Sequence, residues 1–330
     1  MQISLMKSYN IIKLFFFIVG YLFCASKDTI FFKSANPFSF RDIIQPKKKS
    51  AEQNVYGVLQ LPTDIDVDNK VPLVIGVPGS KNWSKHHLEY MQMYLEDGFA
   101  TFQLHSFDSR NIKSTVGNQT QVTTAMMILD SYKAFEILAE HPNINKDKVA
   151  ITGWSLGGGV ALFSSWKPLK NAINTKLKFA AHLSYYPPCI VEPNILEFTD
   201  SPIHLLLGEL DNWVPAEACV DLCSKMKLEG AEIGYTIFKN AHHSFDRKGP
   251  VKVVDNGYML EDCRLEMNSK GEVLMNFFKI PMTTPLLQKV GLAICTGGIR
   301  AKRGPSFGGN PEARDKSFEF SRKFMNLHLH

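Results

Sequence analysis

The sequence predicts an α/β fold: a mostly parallel, twisted sheet with helices on both faces. Three observations carry that expectation. Short apolar runs alternate with segments of helical period along much of the chain, the rhythm of strand–helix units and a parallel sheet. One run, Leu73-Val74-Ile75-Gly76-Val77, is continuously apolar, as a strand buried on both faces must be. Another, Val149-Ala150-Ile151-Thr152, leads into Gly153-Trp154-Ser155-Leu156-Gly157 and then a further apolar run, so a strand turns sharply into a helix at a serine.

The elements follow in chain order. In residues 1–26, Lys7 and Lys13 precede the apolar block from Leu14 to Phe23, which is too short for a typical membrane span. The small residues Cys24-Ala25-Ser26 come next, completing the pattern of a secretory signal peptide. An uncleaved N-terminal membrane anchor is the alternative. Residues 27–50 read as a polar, Lys-rich lead-in, and residues 51–330 as one domain, a length that α/β folds reach with a single core. Within it, 55–61 suggests an edge strand, 64–70 a polar turn, 73–77 a buried strand, 84–96 a helix and 99–105 the next strand. A long helix is expected over 122–140, where Met126, Met127, Leu129, Tyr132, Phe135 and Leu138 recur at helical spacing. Beyond the serine, strands near Phe179, Leu205 and Tyr235 alternate with helices near 216–228 and 314–327. Residues 246–309 break this rhythm and read as an insertion, partly loop, in the position of a lid.

The chemistry is carried by three positions in a fixed order. Gly153 and Gly157 flank a turn where side chains would collide with the neighbouring strand and helix, leaving the Ser155 hydroxyl exposed. A serine hydroxyl is a poor nucleophile at neutral pH, so an imidazole must remove its proton during attack, and a carboxylate must hold that imidazole in the right tautomer. Leu205-Leu206-Leu207-Gly208-Glu209-Leu210-Asp211 reads as a buried strand ending in an acid-bearing loop. Tyr235-Thr236-Ile237-Phe238 is a strand followed by Asn240-Ala241-His242-His243. Serine, then aspartate, then histidine is the chain order of α/β-hydrolases. The expected roles are Ser155 as nucleophile, Asp211 as orienting acid and His243 as general base. The competing readings are Asp211 as a turn acid capping the helix after Pro215, and His242 as the base. His86 and His87 are adjacent on a helix and do not share a face, so a solvated helix end is expected there rather than a metal pair. His204 is expected in the core or at an edge, with Trp154 and Trp213 packed beside the site.

Gly153-Trp154-Ser155-Leu156-Gly157-Gly158, Gly208-Glu209-Leu210-Asp211-Asn212-Trp213-Val214-Pro215 and His243-Ser244-Phe245-Asp246 resemble the dienelactone hydrolase family. That family has its acid in Gly-x-x-Asp-x-x-x-Pro and its histidine in His-x-Phe, a register that selects His243. The resemblance runs from about Val71 to the C-terminus. It includes Phe107-Asp108-Ser109-Arg110 and Tyr185-Tyr186-Pro187-Pro188-Cys189. It implies the α/β-hydrolase fold and hydrolysis without a cofactor. Dienelactone-cleaving members use cysteine as nucleophile, whereas this chain has Ser155, a departure that favours a general serine esterase.

An ester passes through a tetrahedral oxyanion that fixed donors must stabilise. One donor is expected to be the N–H of Leu156, immediately after the nucleophile, and the other the N–H of Ser80 in the loop after the strand ending at Val77. Many relatives carry His-Gly in that loop, where this chain has Pro78-Gly79-Ser80.

The formal charge is +5, and removing Lys7 and Lys13 with residues 1–26 leaves +3, too modest to argue for nucleic acid. Lys47-Lys48-Lys49 reads as a solvated linker. Cys189, Cys219, Cys223, Cys263 and Cys295 remain after that removal, and in an exported chain they read as disulfide candidates. Spacing does not decide connectivity. Cys189 and Cys219 follow consecutive strands and could meet near the acid loop, while Cys263 and Cys295 share the insertion and Cys223 would be left over. A zinc site on Cys219 and Cys223 is the alternative. The resulting expectation is a secreted or periplasmic serine hydrolase cleaving a small-molecule carboxylic ester through an acyl-enzyme. It has no metal, no cofactor and no stable membrane association once the signal is removed. A peptidase or acyltransferase on the same scaffold is the alternative, with a non-catalytic binding protein behind it. Acyl group, alcohol group and oligomeric state are not legible.

Overall fold

The computed structural model describes residues 27–63 and 69–330. Residues 1–26, where a signal peptide is expected, and most of the expected turn at 64–70 lie outside the described residues. Strands β1 (Lys27–Ala35), β2 (Glu52–Gln60), β3 (Val71–Val77), β4 (Ala100–Leu104), β5 (Ile144–Trp154) and β6 (Ala181–Tyr185) belong to the main sheet. A short β7 (Val191–Pro193) lies apart, and β8 (Ile203–Gly208) and β9 (Ile233–Phe238) complete the sheet. The 8-stranded order is β1-β2-β4-β3-β5-β6-β8-β9, antiparallel at the first two pairings and parallel thereafter.

Helices cover both faces, and the alternation within β3 shows why. Leu73, Ile75 and Val77 pack into the layer holding α1 (Phe40–Ile44), then, beyond α2 (Lys85–Glu96) on the other face, α3 (Thr124–Leu138), α4 (Leu156–Phe163), α5 (Lys167–Ile173) and α6 (Ala216–Leu228). Val74 faces the opposite layer, where α2 packs with the C-terminal helix through Tyr90, Tyr94, Phe324 and Met325. Period-2 burial of one strand against two helical layers is the physical content of a doubly covered sheet.

Two expectations change. The lead-in is not merely polar: Lys27–Ala35 is the outermost strand, so the strand at 52–60 is one place in from the edge. Within β1 only Phe32 and Ser34 are buried, while Phe31 is exposed and Lys33 pairs with Glu52 at 2.6 Å. Charged residues of this kind keep an edge strand from pairing with other chains, and they also hide its alternation.

The insertion has its own small architecture. Strands β10 (Lys252–Val253), β11 (Leu265–Met267), β12 (Val273–Leu274) and β13 (Ser306–Phe307) accompany helix α7 (Pro285–Cys295), before α8 (Pro311–Leu329) closes the chain. β11 pairs with β7 in parallel and with β12 antiparallel, so the insertion is bound to the segment after β6. A separate apolar cluster of Ile190, Leu265, Met275 and Met282 forms beneath α7. Cys263–Cys295 closes the insertion, and Cys189–Cys219 ties the segment after β6 to α6. Cys223 is a free, buried thiol that burial pushes up to about 12. Cys219 is therefore committed to a disulfide, which removes the zinc reading. Among the described residues no helix is long and apolar enough to cross a membrane.

Candidate active site

Ser155 is held in a conformation that side chains rarely adopt, φ 55° and ψ −114°, and its N–H donates to Tyr185 O at 2.9 Å. The flanking glycines are obligatory. A Cβ on Gly153 would lie 2.1 Å from Gly157 O, and one on Gly157 would lie 2.2 Å from Val77 O. Both collisions are with backbone, which cannot move aside without breaking the sheet. The sharp turn thus follows from close packing of β3, β5 and α4, and it projects the hydroxyl beyond the sheet.

The acid and the histidine arrive on loops at the C-terminal ends of β8 and β9, the same edge at which β5 delivers Ser155. His243 Nδ1 donates to Asp211 Oδ2 at 2.7 Å, and the Ser155 hydroxyl donates to His243 Nε2 at 2.9 Å. The other carboxylate oxygen, Asp211 Oδ1, accepts from the N–H groups of Trp213 and Val214, both at 3.0 Å. With both oxygens engaged, the carboxylate cannot rotate away from the imidazole. Asp211 and His243 are buried, and Tyr186 and Trp213 pack on the imidazole with ring centroids at 4.7 and 5.1 Å. Such a chain can take a proton from the hydroxyl while stabilising the imidazolium that results.

The structure brings the three predicted residues together and leaves His242 aside. His242 Nδ1 is hydrogen-bonded to Ser306 Oγ at 2.7 Å, on the insertion side. Leu156 is the first residue of α4, so its N–H has no partner within the helix. Gly79, one residue before Ser80, comes close enough that its Cβ would lie 3.5 Å from Ser155 Cβ. The loop after β3 therefore borders the serine. Ser80 is buried, with its carbonyl accepting the Thr115 N–H at 2.9 Å.

His86 and His87 correct the expectation of a solvated helix end. Both are buried, because the start of α2 is covered on one side by Trp154 and on the other by the loop after His243. The His87 ring stacks on Trp154 at 4.5 Å, and Ser84 N–H donates to His87 Nδ1 at 3.2 Å, which leaves the ring proton on Nε2. His86 Nε2 lies 3.6 Å from Asp246 Oδ1, which also accepts the Tyr186 hydroxyl at 2.8 Å. Arg314 donates to the Asp246 carbonyl and, at 2.6 Å, to Glu89. Burial lowers the pKa of His86, against the opposing pull of Asp246. For His87 burial dominates, helped by His86, and the pKa falls well below the usual range. His86 and the buried Asp246 carboxylate thus brace Tyr186, which packs on His243, while His87 packs between His86 and Trp154. Asp246 stands inside His243-Ser244-Phe245-Asp246 and was visible as a motif residue. Its partners lie far away in sequence and left no local signal.

At the entrance, Lys81 Nζ and the Arg247 guanidinium lie 4.5 and 4.7 Å from the centroid of Phe307. Burial, and then the charge of Arg247, lower the pKa of Lys81. Behind Ser155 a cavity of about 580 Å³ extends beneath the insertion, within the range of small-molecule sites.

The profile of the dienelactone hydrolase family matches residues 74–264, ending inside the insertion. A curated relative from a Bradyrhizobium species, named "Probable 2-oxo-3-(5-oxofuran-2-ylidene)propanoate lactonase", is 22% identical over 191 residues, covering 54% of this chain and 75% of its own. Among solved structures, a dienelactone hydrolase-like promiscuous phosphotriesterase from metagenomic libraries aligns with TM-score 0.56 at 14% identity, covering 93% of this chain and 100% of its own. A dipeptidyl aminopeptidase IV-type structure from Bacteroides ovatus aligns with TM-score 0.50 at 13% identity, over 66% of this chain and 33% of its own. At these identities the structural likeness speaks for the fold alone.

Proposed function

This chain belongs to the dienelactone hydrolase family, and from that premise we propose that it is an exported serine hydrolase that cleaves a carboxylic ester through an acyl-enzyme on Ser155. The observation that carries the reading is the continuous hydrogen-bonded line from Asp211 through His243 to Ser155, at 2.7 and 2.9 Å. His243 Nε2 takes the hydroxyl proton as Ser155 Oγ attacks the ester carbonyl. Negative charge collects on the carbonyl oxygen, which the N–H groups of Leu156 and Ser80 receive. His243 then passes the proton to the departing alkoxide, and the acyl group stays on Ser155. Water, activated by the same imidazole, releases the acid and regenerates the serine. Asp211 keeps Nδ1 protonated throughout, so that Nε2 always faces the serine.

Export is supported by the Lys7, Lys13 and apolar pattern of residues 1–26 together with two disulfides, which persist in oxidising compartments. Fluorophosphonate labelling of the purified protein tests the catalytic reading. A single adduct on Ser155 is expected. A folded protein that takes up no label would overturn it.

A further inference from the structure

We propose that the cavity running along α4 beneath the insertion is the subsite for an extended, apolar acyl chain, held open by Gly159. The proposal rests on Ser155 being the nucleophile and deepens that reading by naming the substrate class.

The third glycine of Gly157-Gly158-Gly159 is the starting point. A Cβ on Gly157 would strike Val77 O at 2.2 Å and one on Gly158 would strike Tyr185 O at 2.7 Å, so backbone packing demands both. Gly159 is different. Its Cβ would meet nothing nearer than two ring carbons of Pro188, at 3.2 Å. Glycine is among the poorest helix formers, and here no backbone contact requires it. It lines the cavity one turn beyond the serine beside Pro188, so that a larger side chain there would crowd the Pro188 ring and the cavity wall that the two residues share.

Leu156, Gly159 and Phe163 line the cavity in succession along one face of α4. The helix is 8 residues long, so the floor runs about 12 Å from the nucleophile at the usual helical rise. Phe163 and Phe40, with ring centroids 5.8 Å apart, stand at the far end. Leu265, Met282 and Leu292 of the insertion form the roof, held by the Cys263–Cys295 bridge. The leaving alcohol must lie within reach of His243, toward Trp213 and the open side carrying Lys81 and Arg247. The acyl group, which stays on Ser155, then points along α4. A long, mostly apolar space, with Thr123, Gln288 and Thr296 among its polar lining, suits the half of the substrate that remains bound.

The test is kcat/KM for p-nitrophenyl esters from acetate to octanoate. The expected gain is about fourfold per methylene, the rate equivalent of about 0.8 kcal/mol per buried group, until the chain meets Phe163. Gly159→Val and, independently, Leu292→Trp should each lower the octanoate-to-acetate ratio at least tenfold in protein whose circular dichroism is native. Acetate cleavage with no dependence on chain length overturns the subsite and leaves Ser155 as nucleophile. An unchanged ratio in both folded variants does the same. A gain that appears with alkyl acetates of growing alcohol, and not with growing acyl chain, overturns the orientation. No cleavage of any ester and no fluorophosphonate label overturns the hydrolase reading itself, and the subsite with it.

Discussion

Ser155 joins a chemical role to a conformational cost, and two replacements separate them. Its φ of 55° with ψ −114° belongs to glycine's territory. An L side chain held there is strained by about 1 to 3 kcal/mol. Ser155→Ala removes the hydroxyl but keeps the Cβ and therefore the strain. Ser155→Gly removes both, although glycine gives back about 0.5 to 1 kcal/mol through the greater freedom of the unfolded chain. The glycine variant should therefore be the more stable of the two by about 1 kcal/mol, which corresponds to roughly 1 to 2 °C for a domain spanning residues 27–330. Both should lose esterase turnover by several orders of magnitude and both should refuse fluorophosphonate label. Thermal unfolding monitored by calorimetry, run beside the activity assay, reads the two effects separately. A glycine variant that melts at or below the alanine variant would show that the turn is not strained. An alanine variant that keeps more than about a tenth of the activity, roughly 1.4 kcal/mol of barrier, would remove Ser155 as nucleophile.

Other perturbations follow from the same geometry. His243→Ala should cost about as much activity as Ser155→Ala and His242→Ala far less, because His242 is bonded to Ser306 and His243 to Asp211; a larger loss at His242 would refute the register. His182 is fully buried, and burial holds its pKa down to about 4 against the opposing hydrogen bond to the Ala161 carbonyl. The unfolded chain takes up that proton below about pH 6.5 and the native chain does not, so stability should fall as pH drops from about 6.5 toward 4, by up to about 3 kcal/mol at this residue. Urea melts at pH 7 and 4.5 should show a smaller difference in His182→Gln, and identical slopes would disprove the link. Removing Cys263–Cys295 by the double serine variant should destabilise by about 3 to 4 kcal/mol for a 32-residue separation, and urea melts reporting no loss would disprove it. Protein recovered from its native compartment should begin near Lys27 and carry both disulfides; an intact mass showing the full chain with every thiol free would defeat export.

Most of the sheet and all three members of the hydrogen-bonded line were legible in the sequence, for a local reason. Ser155, Asp211 and His243 each follow an apolar strand at short range, and the glycines at 153 and 157 mark a backbone approach that no other residue permits. The edge strand was not legible, because Lys27, Asp28 and Lys33 obscure the alternation that buries only Phe32 and Ser34. Nor was the burial of His86 and His87. Two adjacent helical residues face different directions, and both become buried only because the start of α2 is covered on two sides by segments distant in sequence. Trp154 covers one side and Tyr186, Asp246 and Arg314 the other, through contacts to α2 that span up to 225 residues along the chain, beyond the reach of any periodicity.

The division between strand ends and insertion has a mechanistic consequence. The nucleophile, acid and base are delivered by β5, β8 and β9, whose registers are set by continuous parallel pairing, with β5 and β8 inside the sheet and β9 at its edge, where Tyr235 and Ile237 are exposed. The roof of the cavity is delivered by β11, β12 and α7, which meet the sheet domain through β7, through Met267 and Val273 at the edge of the main core, and through the Arg41–Glu272 pair at 3.2 Å. Changes in the roof can alter its shape without moving the Asp211–His243–Ser155 line. Changes at Gly153 or Gly157 cannot leave that line in place, since the displaced atoms are backbone carbonyls of the sheet and of α4. Substitutions in the insertion should therefore act mainly on the preference among acyl chains, and substitutions at the turn on the rate with every ester. Kinetics for one variant of each kind, measured on the same short and long esters, distinguishes the two. A roof variant that slows short and long esters by the same factor would mean that the insertion also holds the chemistry in register.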